Sequence, residues 1–218
     1  MKDSSGSAFA FPAATVTRRV RQRKQPVQER SQATVDAVIE ATLQVLKREG
    51  FQALTTTRVA QRAGVSVGTL YQYFPDKTSI VTALKFRYFE RMVSAVQEAA
   101  SSVAGAPLDV AIPALIAALL RFKRENFDLA MAIREPMVAL GGESLLREAS
   151  QKLVEATASV LLGARPELED AKLRAQTLNA AIEGVLSAVM FQSPKQLSNG
   201  QLDAELTRLA LAYASAPD

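Results

Sequence analysis

The stretch from Thr55 to Lys77 constrains this chain most, because it starts and stops helices repeatedly within a short span. Thr55, Thr56 and Thr57 offer a capping hydroxyl for a short helix running through Val59, Ala60 and Ala63, and Gly64 breaks it. Ser66 is a good N-cap for a second short helix to about Phe74, with Leu70 and Phe74 pointing inward at i and i+4. Pro75 and Asp76 stop that helix and start another. Ahead of them, Val35, Val38, Ile39, Thr42 and Leu46 recur at steps of three and four, with Ser31 to cap the start and Gly50 to take the left-handed position after the end. Two short helices joined by a tight glycine turn and packed on a longer first helix describe a helix-turn-helix unit, whose second helix faces a DNA major groove.

The rest of the chain reads as helix throughout. The fourth helix meets no breaker until Gly105, and Ile80, Leu84, Met92, Val93 and Val96 give it one apolar stripe. Further helices are expected near 108–125, 126–140 with a break at Pro136, 143–162, 167–192 and 201–215. No segment alternates with period two for long enough to compete as a strand. Aromatics at 6% and the absence of Trp also favour helix, so the expected fold is all-α with about nine helices. At 218 residues and 48% apolar, the chain can bury a core in one or two domains.

Composition excludes several chemistries. Without Cys or His there is no disulfide, thiolate nucleophile, His-based triad or Cys/His zinc site, and no catalytic residue, metal or cofactor is expected. The longest apolar run, Val110 to Leu120, contains Pro113 and falls far short of the roughly 20 residues of a membrane span. The Arg-rich stretch follows the short apolar segment Ala8 to Ala14, the reverse of a secretory signal, so a cytoplasmic location is expected. The formal charge of +4 is uneven, because residues 1–30 hold seven Lys/Arg against Asp3 and Glu29. That segment reads as a disordered basic arm, either merely solvated or touching a polyanion.

On the second short helix, a groove would first meet Ser66, Val67, Gly68 and Thr69, which are compact and poor at covering a core. Tyr71, Gln72 and Tyr73 follow; a Tyr hydroxyl can bond phosphate, and Gln can read adenine in bidentate fashion. The run Thr55-Thr56-Thr57-Arg58-Val59-Ala60-Gln61-Arg62-Ala63-Gly64-Val65-Ser66-Val67-Gly68-Thr69-Leu70-Tyr71-Gln72-Tyr73-Phe74-Pro75-Asp76-Lys77 closely resembles the DNA-binding signature of the TetR family of bacterial transcriptional regulators, within a resemblance covering residues 31–90. Thr57 and Arg58 depart from the residues commoner in that family.

The resemblance implies a helix-turn-helix domain over 31–78 and a regulatory and dimerisation domain over 79–218. It implies phosphate contacts from Thr56 or Thr57, Tyr71, Tyr73 and Lys77, and base contacts from Val67, Gly68, Thr69 and Gln72 on double-stranded operator DNA. Read without it, the two tyrosines could equally pack on the first helix, and Lys77 could simply be solvated. The resemblance further implies a repressor released by a small-molecule inducer. Its lipophilic cavity would draw on Phe86, Phe89, Phe122, Phe127, Met131 and Met137, with Arg134 and Glu135 as polar anchors, although the same residues would serve as ordinary core. A homodimer would form through the helices near 167–192 and 201–215, where Leu178, Ile182, Val185, Leu186, Val189 and Met190 make one face and Leu202, Leu206, Leu209 and Tyr213 another. An architectural or nucleoid-associated DNA-binding protein of the same fold is the rival reading.

Three further signals carry less. Gly64 to Gly68 fits G-x-S-x-G, but a helix precedes it and no His exists to take a serine proton. Glu167, Glu169 and Asp170 read as the first turn of a helix after Pro166, where the dipole favours acids, and Arg121, Lys123 and Arg124 read as a solvated helix end.

Overall fold

The structure, a computed structural model, describes residues 29–217. Nine α-helices occur among these residues: α1 (Glu29–Glu49), α2 (Thr56–Ala63), α3 (Val67–Tyr73), α4 (Lys77–Ser102), α5 (Leu108–Glu125), α6 (Phe127–Ala139), α7 (Glu143–Ala164), α8 (Ala171–Gln192) and α9 (Gly200–Ser215). A single 3-10 turn at Pro194–Ser198 joins the last two, and no strand occurs among the described residues. The expected basic arm lies outside the described residues, apart from Glu29 and Arg30, which belong to α1. The helix therefore starts ahead of Ser31, which is no cap; no breaker separates it from Glu29, and each added residue adds a hydrogen bond.

Local chemistry accounts for the short helices. Thr55 accepts a hydrogen bond from the Arg58 amide at 3.2 Å, and Gly64, at φ 69°, takes the left-handed position that closes α2. Ser66 caps α3 by accepting from the Thr69 amide at 2.9 Å. Asp76 and Ser79 form a reciprocal capping box that fixes the start of α4.

Two expected boundaries move. Pro136 does not break α6, since proline lacks an N–H but keeps its carbonyl, which accepts from the Leu140 amide at 3.0 Å. The acidic residues Glu167, Glu169 and Asp170 are not in a first turn, because α8 begins only at Ala171. They lie in the preceding turns, where the backbone amide of Glu167 and then the Arg165 guanidinium, 3.1 Å away, hold the Glu167 carboxyl below the usual carboxylate range.

The core has two main parts. In the first, Val35, Val38 and Leu46 of α1, Leu54, Val59 of α2 and Leu70 of α3 pack against Ile80, Leu84, Tyr88 and Met92 of α4. In the second, α5, α7, α8 and α9 meet through Ile116, Leu161, Leu186 and Leu206. Helix α4 joins the first core to α5 and α7, because its later residues Val96 and Ala100 pack with Ala111, Leu115 and Val160 in a third, small cluster. Helix α6 packs on the first core through Ile133 and is tied to α1 by Lys47 with Asp128 and to the following loop by Gln52 with Glu135 at 2.8 Å. No helix among the described residues is long and apolar enough to cross a membrane.

Candidate nucleic-acid interface and cavity

The outer face of α2 and α3 is built by residues that the core does not need. Leu70 and Phe74 turn inward and are fully buried, which leaves Ser66, Gly68, Tyr71 and Gln72 exposed and Val67 and Thr69 half-buried along the amino half of α3. The Ser66 hydroxyl also bonds the Thr69 hydroxyl at 2.8 Å, so these two side chains hold each other flat against the helix. A Cβ added at Gly68 would meet only Ser66 Oγ, at 3.7 Å, an ordinary contact. Nothing inside the protein requires glycine there, and its effect is a smooth, low face on α3.

Neighbouring groups frame that face. Thr56 and Tyr71 bond through their hydroxyls at 3.1 Å, joining the start of α2 to α3, while Thr57 stands exposed beside them. The Lys77 ammonium lies 5.2 Å from the centre of the Phe51 ring at the start of α4. Tyr73, also expected as a phosphate contact, is 7% exposed and belongs to the first core. Of the ten expected DNA-contacting residues, nine are exposed or half-buried and only Tyr73 is buried. Arg58 and Arg62 also stand on exposed α2 positions, their guanidinium groups folded onto the Ala53 carbonyl and onto Gln44.

A separate cavity of about 530 Å³ opens between α4, α5, α7 and α8. Phe89 is the only member of the expected ligand set in its wall. Phe122 turns instead toward α4, its ring 5.2 Å from that of Tyr88, and Phe86 is half-buried elsewhere on α4. Phe127 packs against the second core. Because α6 packs on the first core through Ile133, Met131, Arg134 and Met137 are not in the cavity wall; Arg134 stacks 4.2 Å over the Phe191 ring, and Glu135 pairs with Gln52.

One polar group in the cavity wall, Lys123, sits where the periodicity of α5 could have revealed burial. Lys123 is no solvated residue: it continues the buried stripe of Ile112, Ile116 and Leu120 on α5, is 5% exposed at its side chain, and bonds Glu183 of α8 at 2.9 Å. Arg124 likewise binds the Leu197 carbonyl and Asp203. One turn before Glu183, Asn179 accepts from the Thr157 hydroxyl at 3.1 Å. Burial, and then the charge of Glu183, push the phenol of nearby Tyr88 well above its ordinary pKa.

The residues of the expected dimer seam divide between two faces, with Val185, Leu209 and Tyr213 outward and most of the others inward. Leu178, Ile182, Leu186, Val189, Met190 and Leu206 are buried in the second core of a single chain, because α8 and α9 pack against α5 and α7. What they leave outward is a second apolar face of Leu173, Val185 and Phe191 on α8 and Leu209 and Tyr213 on α9, with Ala181 and Gly184 between.

Two family models match the sequence: bacterial regulatory proteins of the tetR family over residues 38–84, and the tetracyclin repressor-like C-terminal domain over residues 107–213. The HTH-type transcriptional repressor KstR of Mycolicibacterium smegmatis is 39% identical over 70 residues, which cover 32% of this chain and 34% of that protein. The nucleoid occlusion factor SlmA of Glaesserella parasuis is 31% identical over 107 residues, 49% of this chain and 50% of that one. The chain thus spans half or less of the length of these relatives. Among solved structures, SmeT, the repressor of the Stenotrophomonas maltophilia multidrug efflux pump SmeDEF, aligns with a TM-score of 0.66 at 19% identity over 84% of this chain and 91% of that one, a likeness of fold.

Proposed function

We propose that this chain, which belongs to the TetR family of bacterial regulatory proteins, is a dimeric DNA-binding transcriptional repressor of the cytoplasm whose grip on its operator is set by a small molecule in the cavity. The observation that carries the reading is the low, polar face of α3, flanked by Thr56, Thr57, Tyr71 and Lys77. On this reading Val67, Gly68, Thr69 and Gln72 meet base edges, with Ser66 holding the helix start. Thr56, Thr57, Tyr71 and Lys77 meet phosphates and set the register. Residues 31–78 form the DNA-binding domain and 79–218 the regulatory and dimerisation domain. The outward apolar face of α8 and α9 pairs with its copy, and the two α3 helices then enter successive major grooves about 34 Å apart.

Regulation follows from α4. Its first residue, Lys77, stands beside the DNA-facing surface, and its middle residues, Phe89 and Met92, wall the cavity. A ligand that fits the cavity in only one tilt of α4 shifts the separation of the two α3 helices. Operator affinity then changes by the coupling free energy, typically about 1–3 kcal/mol. The test is genome-wide mapping of bound sites with and without extracts of the host cell: a few sites upstream of genes, released by a small molecule, are expected.

A second reading draws on the likeness to SlmA, which covers 49% of this chain. It has the chain binding many scattered sites as a nucleoid protein, and the same map would then show sites spread over the chromosome and indifferent to small molecules.

A further inference from the structure

We infer that the molecule held in the cavity is uncharged and mainly apolar, and carries an oxygen that accepts a hydrogen bond from the side-chain amide of Asn179, as a ketone or ester does. This rests on the cavity being the ligand site proposed above. Most of the wall is hydrocarbon, from Phe89 and Met92 on α4, Ile112, Leu115 and Ile116 on α5 and Leu153 on α7. Such a wall selects an apolar body, and 530 Å³ lies within the range of small-molecule sites.

The polar features are few and unequal in what they offer. Asn179 uses its oxygen to accept from the Thr157 hydroxyl at 3.1 Å, which leaves the amide nitrogen as the group without a partner. Its nitrogen is buried and has no hydrogen-bond partner, alone among the buried side-chain nitrogen and oxygen atoms of the described residues. A buried donor without an acceptor is costly, so a ligand oxygen placed against it recovers binding free energy that a hydrocarbon cannot.

Charge, by contrast, is already balanced. The Lys123 ammonium is buried and bonded to Glu183 at 2.9 Å, with Glu183 half exposed at the edge. A ligand carboxylate would have to displace Glu183 and then lie beside it, and a ligand ammonium would meet Lys123. Neither sign finds an unmatched counter-charge, and Ser150, Gln176 and Ser187, the remaining polar residues of the wall, are neutral.

The experiment uses the full-length chain and three probes that share a ten-carbon acyl or alkyl chain, methyl decanoate, decanoate and decylammonium, each titrated calorimetrically below its micelle range. Methyl decanoate should bind about tenfold or more tighter than either ion. Asn179→Leu should lower its affinity about 5- to 100-fold by removing the donor. Asn179→Asp, which also serves should the leucine variant fail to fold, should weaken the ester and improve decylammonium. Equal or tighter binding of either ion overturns the charge argument, and an ester affinity unmoved by both variants overturns the role of Asn179. Leu153→Trp, which fills the cavity, separates these failures from failure of the site: probes that it excludes uphold the cavity whatever their order, whereas no binding to the wild type, or binding that survives Leu153→Trp, overturns the cavity reading and this inference with it.

Discussion

Replacing Lys77 by Ala tests the DNA-facing surface at a point where structural and functional roles give opposite signatures. In the protein the ammonium lies 5.2 Å from the Phe51 ring centre, a contact worth about 0.5–1 kcal/mol at a half-exposed position. Were that its whole role, Lys77→Ala would lower the melting temperature slightly and leave the salt dependence of DNA binding alone. As a phosphate contact in each half of a dimer, it releases counterions, and its loss should flatten the slope of log K against log salt by about 0.9 per site, or about 1.8 in all. Between 50 and 200 mM salt, the wild type should therefore lose about 12-fold more affinity than the variant. Tyr71→Phe is the matched neutral control. Its hydroxyl, 3.1 Å from that of Thr56, carries no charge, so removing it should weaken binding by about 0.5–1.5 kcal/mol per half-site with the slope unchanged. The assay is fluorescence anisotropy on an operator selected from a random-sequence pool, repeated across the salt range. A Lys77→Ala slope equal to that of the wild type would refute the phosphate assignment.

Three other outcomes are expected. Leu209→Glu, on the outward face of α9, should yield a folded monomer in sedimentation, whereas Leu206→Glu, 2% exposed in the second core, should cost several kcal/mol and unfold the chain; a folded, dimeric Leu209→Glu would move the interface elsewhere. Lys85 is buried and donates to the carbonyls of Pro136 and Gly141, and burial lowers its pKa, so the unfolded chain holds the proton more firmly. Stability should rise with pH from the folded value toward the ordinary lysine value, and the melting temperature of the wild type should gain on that of Lys85→Met as pH rises toward that ordinary value; a constant difference would contradict this. Deleting residues 1–28, which carry Arg18, Arg19, Arg21, Arg23 and Lys24, should lower the salt slope by up to several units if the arm engages DNA, and an unchanged slope would mark it as inert.

The parts of this molecule that could be read in advance are those whose causes are local. Thr55, Gly64, Ser66 and Asp76 act within four residues of themselves, so the short helices and the face they present were legible from the chain alone. The cavity was not, because its polar pair joins Lys123 to Glu183 across 60 residues, and no periodicity within one helix reveals a partner on another. Phe122, adjacent to Lys123, has an equally apolar character but turns toward Tyr88, which only the packing of α5 on α4 decides. The expected apolar seam mixed two faces for a different reason. Helices α8 and α9 are apolar on two sides, and Leu206 and Leu209, three residues apart, belong to different ones. Hydrophobic spacing counts both and cannot say which side the chain itself covers first.

The sharing of α4 between the two halves bears on how such regulators can be recombined. Tyr88, Met92 and Val93 pack in the same core as Val35 and Leu70, so the DNA-reading head ends, energetically, well inside α4. A chimera spliced at residue 78 would give the new head a foreign floor, and mismatched side chains there would strain or void its core. A junction beyond Val93 would carry the floor with the head and move the mismatch to the edge of the cavity wall, where Val96 packs with Ala100, Ala111, Leu115 and Val160 in a small cluster of its own. The natural unit of exchange in this architecture is therefore longer than the unit that touches DNA.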